Sequence, residues 1–255
     1  MSLGRRKAQL LDPQAWVFNR MADVYGARPE YPMDLLEAVG ALAGEEGARV
    51  IDLGAGIGHV ALPLAEQGLD VVAVEPAEAM LERLKTRAVA RGISIKALHA
   101  TAEALPLPSG SADLIVIADA LHFLDVTLSA GEVARVLAPR GALAIITSEF
   151  SDTAWMRGLT QLMEEAAPRR PRQVSSAITQ MFRMSRISAV NVREYADETP
   201  VDSSTLEEIL RSISFIGPAM NPERFERFRT RVHALVEEPV WARRFTLYSG
   251  RQTRA

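Results

Sequence analysis

Residues Val50 to Gly58 read Val-Ile-Asp-Leu-Gly-Ala-Gly-Ile-Gly, and a second apolar run, Val71-Val72-Ala73-Val74, ends at Glu75. Val50, Ile51 and Leu53 form the short apolar run of a strand buried on both faces. Gly54 and Gly56 lack a Cβ, so the chain can turn sharply there and a ligand can approach the backbone closely. Val60, Leu62, Leu64 and Ala65 then fit a helix packed on the sheet. A strand, a glycine turn, a helix, a second strand and a carboxylate confine the chain to an open α/β sheet. Glu75 follows the glycines by about 20 residues, where a carboxylate accepts hydrogen bonds from both hydroxyls of a ribose. The pattern is that of a sheet holding an adenosine-containing ligand.

The glycine spacing narrows that ligand. A dinucleotide fingerprint is G-x-G-x-x-G, with the helix N-terminus facing a pyrophosphate. Here the third glycine, Gly58, arrives one residue early and His59 stands in its place. No Lys-Ser or Lys-Thr follows the turn, which excludes a P-loop.

Alternating strand and helix patterns between 49 and 148 imply βαβ units with right-handed crossovers. Strands are predicted near 49–53, 70–74, 94–98, 113–118 and 142–147, and helices near 58–67, 77–91 and 127–137. Ahead of them, 13–25 reads as a helix. Tyr25 to Pro32 is an ordered extended segment fixed by Pro29 and Pro32. Met33 to Leu42 is a helix leading into the first strand. The periodicity breaks after Phe150. Residues 152–186 read as helices rich in Met and Arg, divided by Pro168 and Pro171. Their Met and aromatic side chains either pack this insertion onto the core or line an adaptable binding surface. Sixth and seventh strands are expected at 190–201 and 243–249, with helices at 205–212, capped by Ser203 or Ser204, and at 222–237. The chain reads as one domain, 1–255, with a helical cap formed by 1–45 and by an insertion at 150–190 over the substrate side.

Several segments, in this order, resemble class I S-adenosylmethionine (SAM) dependent methyltransferases. Val50–Gly58 resembles their first motif and Val74-Glu75-Pro76-Ala77-Glu78-Ala79-Met80-Leu81 their acidic-loop segment. Ala102-Glu103-Ala104-Leu105-Pro106-Leu107-Pro108 resembles their adenine-contacting turn, Ala112–Val116 their fourth strand, and Glu132–Gly141 the helix and turn before the fifth, with Arg140 replacing the commoner Lys or Gly. The likeness spans roughly residues 45–150 and is nearest to the ubiquinone/menaquinone-type and small-molecule subgroup. Tyr25…Arg28-Pro29-x-Tyr31-Pro32 resembles a segment of trans-aconitate methyltransferase-like proteins.

The resemblance implies a Rossmann-like, seven-stranded, mostly parallel sheet with an antiparallel edge strand at 244–249, helices on both faces and a small helical cap. It implies SAM as cofactor, with S-adenosylhomocysteine as product. Gly54, Ala55 and Gly56 would line the methionine part, and Glu75 would take the ribose. Pro76 and Met80 would pack on the adenine, and Ala102 and Glu103 would meet its polar edge. Asp52 would orient the glycine loop. Arg28, a forked donor, would take the methionine carboxylate or an acidic substrate. Asp119 would orient SAM or the acceptor, and Tyr31 and Ser214 would line the acceptor pocket. His122, after the fourth strand, is the candidate general base or a positioning residue.

Composition sets the remaining bounds. The 255-residue chain is 48% hydrophobic with a formal charge of −3, so it has a sizeable core and no strong global field for nucleic acid. Arg169-Arg170-Pro171-Arg172 and Arg227, Arg229 and Arg231 sit among acids and read as solvated faces. The absence of cysteine rules out disulfides and thiolate metal sites. The histidines lack metal-ligand spacing, so no metal is expected. No apolar run suits a membrane span, and the basic N-terminus lacks a signal-peptide core. The expectation is a cytoplasmic enzyme, monomeric or homodimeric, that methylates a small organic molecule at O, N or C. A carboxyl methyltransferase with Arg28 holding the acid, or a SAM-binding protein that transfers no methyl group, are the alternatives.

Overall fold

A seven-stranded sheet organises the protein. The computed structural model describes residues 17–168, 174–236 and 238–253. The strands are β1 (Arg49–Leu53), β2 (Asp70–Val74), β3 (Lys96–Leu98), β4 (Ala112–Ala118), β5 (Leu137–Phe150), β6 (Ile187–Pro200) and β7 (Val240–Gln252), in the order β3-β2-β1-β4-β5-β7-β6. β1 pairs in parallel with β2 on one side, Ile51 opposite Val72, and with β4 on the other, Ile51 opposite Ile115. The winding direction therefore reverses between β1 and β4, the place where such sheets open a crevice at their carboxyl ends. The antiparallel pairing lies toward the β6 end of the mixed sheet. The expected strand at 244–249 is β7, seated one place in from the edge with β6 outermost.

The strands read as unbroken apolar runs because both faces are covered. Ile51, Leu53, Val72, Val74, Ile115, Ile117, Leu143 and Ile145 pack with Val133 and Val136 of α4 (Val126–Val136) and with Met181 and Phe182 of α6 (Val174–Met184). Their sequence neighbours Val50, Val71, Ala73, Leu114, Val116 and Ala144 face the opposite way. There they meet Leu35, Leu36 and Val39 of α1 (Met33–Ala43) and Leu64 of α2 (Ala61–Glu66). α3 (Glu78–Ala90) adds Leu84 to the same face.

The chain divides into two compact units. The sheet unit comprises 31–148, 172–195 and 245–255, and the second unit 1–30, 149–171 and 196–244. The second unit has its own core. Met156, Leu159 and Met163 come from α5 (Ala154–Ala166), Leu206, Ile209 and Leu210 from α7 (Ser203–Ser212), and Phe225, Phe228 and Val232 from α8 (Pro222–His233).

The expected cap segments are therefore redistributed. α1 and α6, expected in the cap, belong to the sheet unit because their apolar faces complete its two cores. α7 and α8 join α5 instead.

Local chemistry corrects other expectations. Where 13–25 reads as a helix, the described part holds two 3-10 turns, Asn19–Met21 and Tyr25–Ala27; residues 13–16 lie outside the described residues. The second turn stops at Arg28, whose extended backbone (φ −64°, ψ 132°) is the conformation that Pro29 imposes. The α7 cap is Asp202, not Ser203 or Ser204: its carboxylate accepts the Thr205 N–H at 2.7 Å and the Ser204 hydroxyl at 2.7 Å. α8 ends at His233 rather than reaching 237. Arg229 pairs with Glu226 and Arg231 with Glu165 on exposed surface, a solvated ion-paired face. The cluster Arg169-Arg170-Pro171-Arg172 lies outside the described residues.

Candidate functional site

The glycine turn after β1 requires its glycines. Gly54, Gly56 and Gly58 hold φ of +77°, +55° and +89°, the left-handed region that L side chains resist. At Gly54 a Cβ would also come within 2.7 Å of the Ala120 Cβ, so this turn abuts the segment following β4. The Gly54 and Ala55 N–H groups both donate to the Val74 carbonyl, at 2.8 and 3.1 Å. Glu75 clasps the turn from the end of β2. Its Oε2 accepts the Gly56 N–H at 2.8 Å, and its Oε1 accepts the Ala77 N–H at 2.8 Å. Each carboxylate oxygen retains acceptor capacity beyond that one bond. The acid expected to meet a ribose is thus also the buckle that fixes the loop.

Two acids are buried here. Glu75 is pushed up to about 7 by burial, against the hydrogen bonds from Ala77 and Gly56. Asp52 is likewise pushed up to about 7, by burial first and by the Glu75 charge second, against a hydrogen bond from the Ala61 backbone. Asp52 Oδ2 is buried without a hydrogen-bond partner. A carboxyl group whose folded pKa lies above its unfolded value binds more protons when folded. Stability therefore falls as pH rises from about 4 toward 7, and the full penalty is present above that window. Asp52→Asn cannot ionise. It is expected to be more stable than the parent at pH 8 by roughly 2–4 kcal/mol, with the gain vanishing near pH 4. Thermal unfolding at the two pH values checks this; an equal shift at both would refute it.

The segment expected to meet the adenine is held against α4. Asp125 N–H donates to Glu103 Oε1 at 2.8 Å, so Glu103 is engaged at the start of that helix. Leu105 N–H donates to Glu132 at 2.7 Å, while Arg135 donates to the carbonyls of Leu107 and Leu105 and pairs with Glu132. Glu132 and Arg135 are residues that sequence reading missed; their spacing of three on a helix is the signal that could have found them. Pro76 is half-buried and Ala102 buried. Met80 is fully buried (0% exposed), which leaves it no surface to offer a ligand in this conformation. It lies on the core face of α3 with Leu84. His99 Nε2 lies 3.0 Å from the Pro76 carbonyl oxygen.

At the carboxyl end of β4, Asp119 adopts φ +49°, uncommon for a residue with a side chain. Its Oδ1 accepts the Ser148 N–H at 2.8 Å; its Oδ2 accepts the Ser148 hydroxyl at 2.7 Å and the Tyr31 hydroxyl at 2.9 Å. Ser148 escaped the sequence reading, and no local pattern marks it. His122 sits in a 3-10 turn, Leu121–Phe123, with its ring 3.9 Å from that of Phe123. The glycine turn, Glu75, Pro76, Ala102, Glu103, Asp119, Tyr31 and His122 all lie in the sheet unit.

Arg28 and Ser214 belong to the second unit. Arg28 was expected to hold a ligand carboxylate, but its fork is engaged by the protein. Nε donates to Ser212 Oγ at 2.8 Å, Nη2 to the Ser212 carbonyl at 2.7 Å and Nη1 to the Tyr25 hydroxyl at 3.3 Å. The guanidinium also lies 4.3 Å from the Tyr25 ring centroid. Ser214 is half-buried in the turn after α7. A cavity lined by Ser203, Glu207, Arg229 and His233 in this unit has its arginine paired by Glu207 and Glu226. Among the described residues no cluster of three or more His, Asp or Glu is arranged to hold a metal, and no helix is long and apolar enough to cross a membrane.

The comparisons with known proteins fall on the same region. A family profile described as a methyltransferase domain matches residues 51–145. An uncharacterised methyltransferase of Mycobacterium tuberculosis is 39% identical over 137 residues, 53% of this chain and 54% of the relative. A demethylmenaquinone methyltransferase of Thermus thermophilus is 41% identical over 101 residues, 38% of this chain and 46% of the relative. The chain thus spans about half the length of these curated relatives. The solved structure of a putative type II methyltransferase from Anaeromyxobacter dehalogenans shares the fold at a TM-score of 0.65, with 20% identity over 89% of this chain and 99% of that one. Residues 51–145 are therefore similar to a methyltransferase domain, and the chain resembles class I methyltransferases in the order of its motifs, the order of its strands and its fold.

Proposed function

We propose that the chain is a SAM-dependent methyltransferase acting on a small organic molecule. The observation that carries this reading is Glu75, a buried carboxylate fixed by the Gly56 and Ala77 N–H groups at the glycine turn. The residues fit an adenosine-bearing sulfonium ligand. Glu75 keeps acceptor capacity for two hydroxyls, and Asp52 holds a buried oxygen in want of a donor.

The bound cofactor supplies an electrophilic methyl group whose leaving sulfur is already activated. The protein's work is then positioning and the exclusion of water. Gly54, Ala55 and Gly56 bring their backbone against the ligand, Glu75 orients its ribose, and Pro76, Ala102 and Glu103 frame its base. Tyr31, Asp119 and His122 act on the acceptor side, where His122 orients the acceptor or takes a proton from it.

The test is transfer of labelled methyl from SAM to a panel of small phenols, amines and acids, with His122→Ala run in parallel. Label in at least one product supports the reading. Cofactor binding with no transfer to any acceptor would favour a SAM-binding protein without methyl transfer. Full activity of His122→Ala would remove His122 from the chemistry.

A further inference from the structure

Three side chains meet at the carboxyl ends of β4 and β5, two hydroxyls turning their hydrogens onto one carboxylate. The Tyr31 and Ser148 hydroxyls both donate to Asp119 Oδ2, at 2.9 and 2.7 Å, and the Ser148 N–H donates to Oδ1 at 2.8 Å. With both hydroxyl protons committed to the carboxylate, the oxygens of Asp119 and Ser148 are left to accept a hydrogen bond from a group that approaches the cluster. These three donors are neutral groups, so none of them cancels the charge of Asp119.

All three residues are half-buried and so reachable. The left-handed backbone of Asp119 (φ +49°) is held by its bonds to Ser148 and by the Asp119 N–H donating to the Ile146 carbonyl at 2.9 Å. Such conformations persist where the surroundings over-determine them, and they gather at functional sites.

The location is equally informative. Ala120, the next residue, abuts Gly54. The cluster therefore borders the glycine turn on the β4–β5 side of the winding reversal, whereas Glu75 borders it on the β2 side. A ligand lying across that crevice with its ribose at Glu75 would place its other end beside the cluster.

We propose that Tyr31, Asp119 and Ser148 form an acceptor-only patch that holds the methyl acceptor by an O–H or N–H group and turns carboxylates away. This rests on the methyltransferase reading of the same crevice. A hydroxyl or amine supplies the hydrogen that the patch lacks. A carboxylate supplies none and brings a second negative charge, and discrimination of this kind works as much by repulsion as by attraction. The patch therefore argues against carboxyl methylation.

The test uses the full chain saturated with S-adenosylhomocysteine and three small probes: phenol, anisole, which lacks the proton, and benzoate. Binding is followed by ligand-observed NMR titration. Phenol is expected to bind about tenfold more tightly than either of the others, the worth of one well-placed hydrogen bond. Tyr31→Phe, Ser148→Ala and Asp119→Asn, each checked for folding by circular dichroism, are expected to cut that preference to about threefold or less; loss of one variant to misfolding leaves the other two to decide. Benzoate binding as well as phenol, no binding of phenol, or a preference unchanged in the folded variants would overturn the patch. Failure of S-adenosylhomocysteine itself to bind would instead overturn the cofactor reading on which the patch rests.

Discussion

Glu75→Ala is expected to weaken S-adenosylhomocysteine binding by about two to three orders of magnitude. Two effects combine. A carboxylate that accepts two ribose hydroxyls makes two charge-assisted hydrogen bonds, each worth roughly 1.5–3 kcal/mol. The same side chain fastens Gly56 and Ala77, so its loss also frees a turn held in left-handed conformations at Gly54, Gly56 and Gly58. Glu75→Gln separates these effects. The amide oxygen still accepts one N–H, but the NH2 group cannot accept the other, so an intermediate loss is expected. Isothermal titration of the three proteins reads it directly, and unchanged affinity in Glu75→Ala would remove the ribose assignment.

Phe245→Ala is the substitution expected to cost most in stability. Phe245 is fully buried in the core between the sheet and α1, and its ring centroid lies 5.5 Å from that of Tyr31. Removing a buried phenyl ring sacrifices its transfer free energy and leaves a cavity that the neighbours fill only in part, about 3–5 kcal/mol in all. Phe245→Leu keeps much of the volume and should recover most of that loss. Denaturant unfolding measures both. Tyr31 also loses its backing, so the Phe245→Ala protein should show a weaker preference for phenol than the parent at the patch. A change below about 1 kcal/mol would mean that the site collapses around the deletion far more readily than its burial implies.

The central part of the fold was legible because its signals are local. β1, its glycine turn, α2, β2 and Glu75 lie within a single stretch of chain, and each is marked by a residue type that few other arrangements need. The acid at position 75 could be paired with the turn from spacing alone. The patch could not. Tyr31 and Asp119 are 88 residues apart and Asp119 and Ser148 are 29 apart, and only the parallel pairing of β4 with β5 brings the last two together.

The α7 cap shows a different limit. Asp202, Ser203 and Ser204 are all competent caps, and the choice fell to Asp202, whose carboxylate reaches Thr205 N–H while also taking the Ser204 hydroxyl. The burial of Met80 was legible from the period alone: Met80, Leu84 and Ala88 recur at the helical spacing, and that stripe faces the core of the sheet unit. Arg28 was read correctly as a forked donor, but its partner, Ser212, comes from 184 residues away. The helices at 154–166 and 203–233 were each legible as amphipathic segments. Their assembly into a second core was not, because nothing in an amphipathic stripe names its partner.

The most direct measurement is a calorimetric titration of the purified protein with S-adenosylhomocysteine, with NAD as the parallel ligand. The expected result is micromolar binding of the first and none of the second, since the glycine spacing and the clasp of Glu75 suit one ribose and no pyrophosphate. Binding of NAD, or of neither ligand, would contradict the assignment and reduce the glycine turn to a structural feature of an α/β sheet.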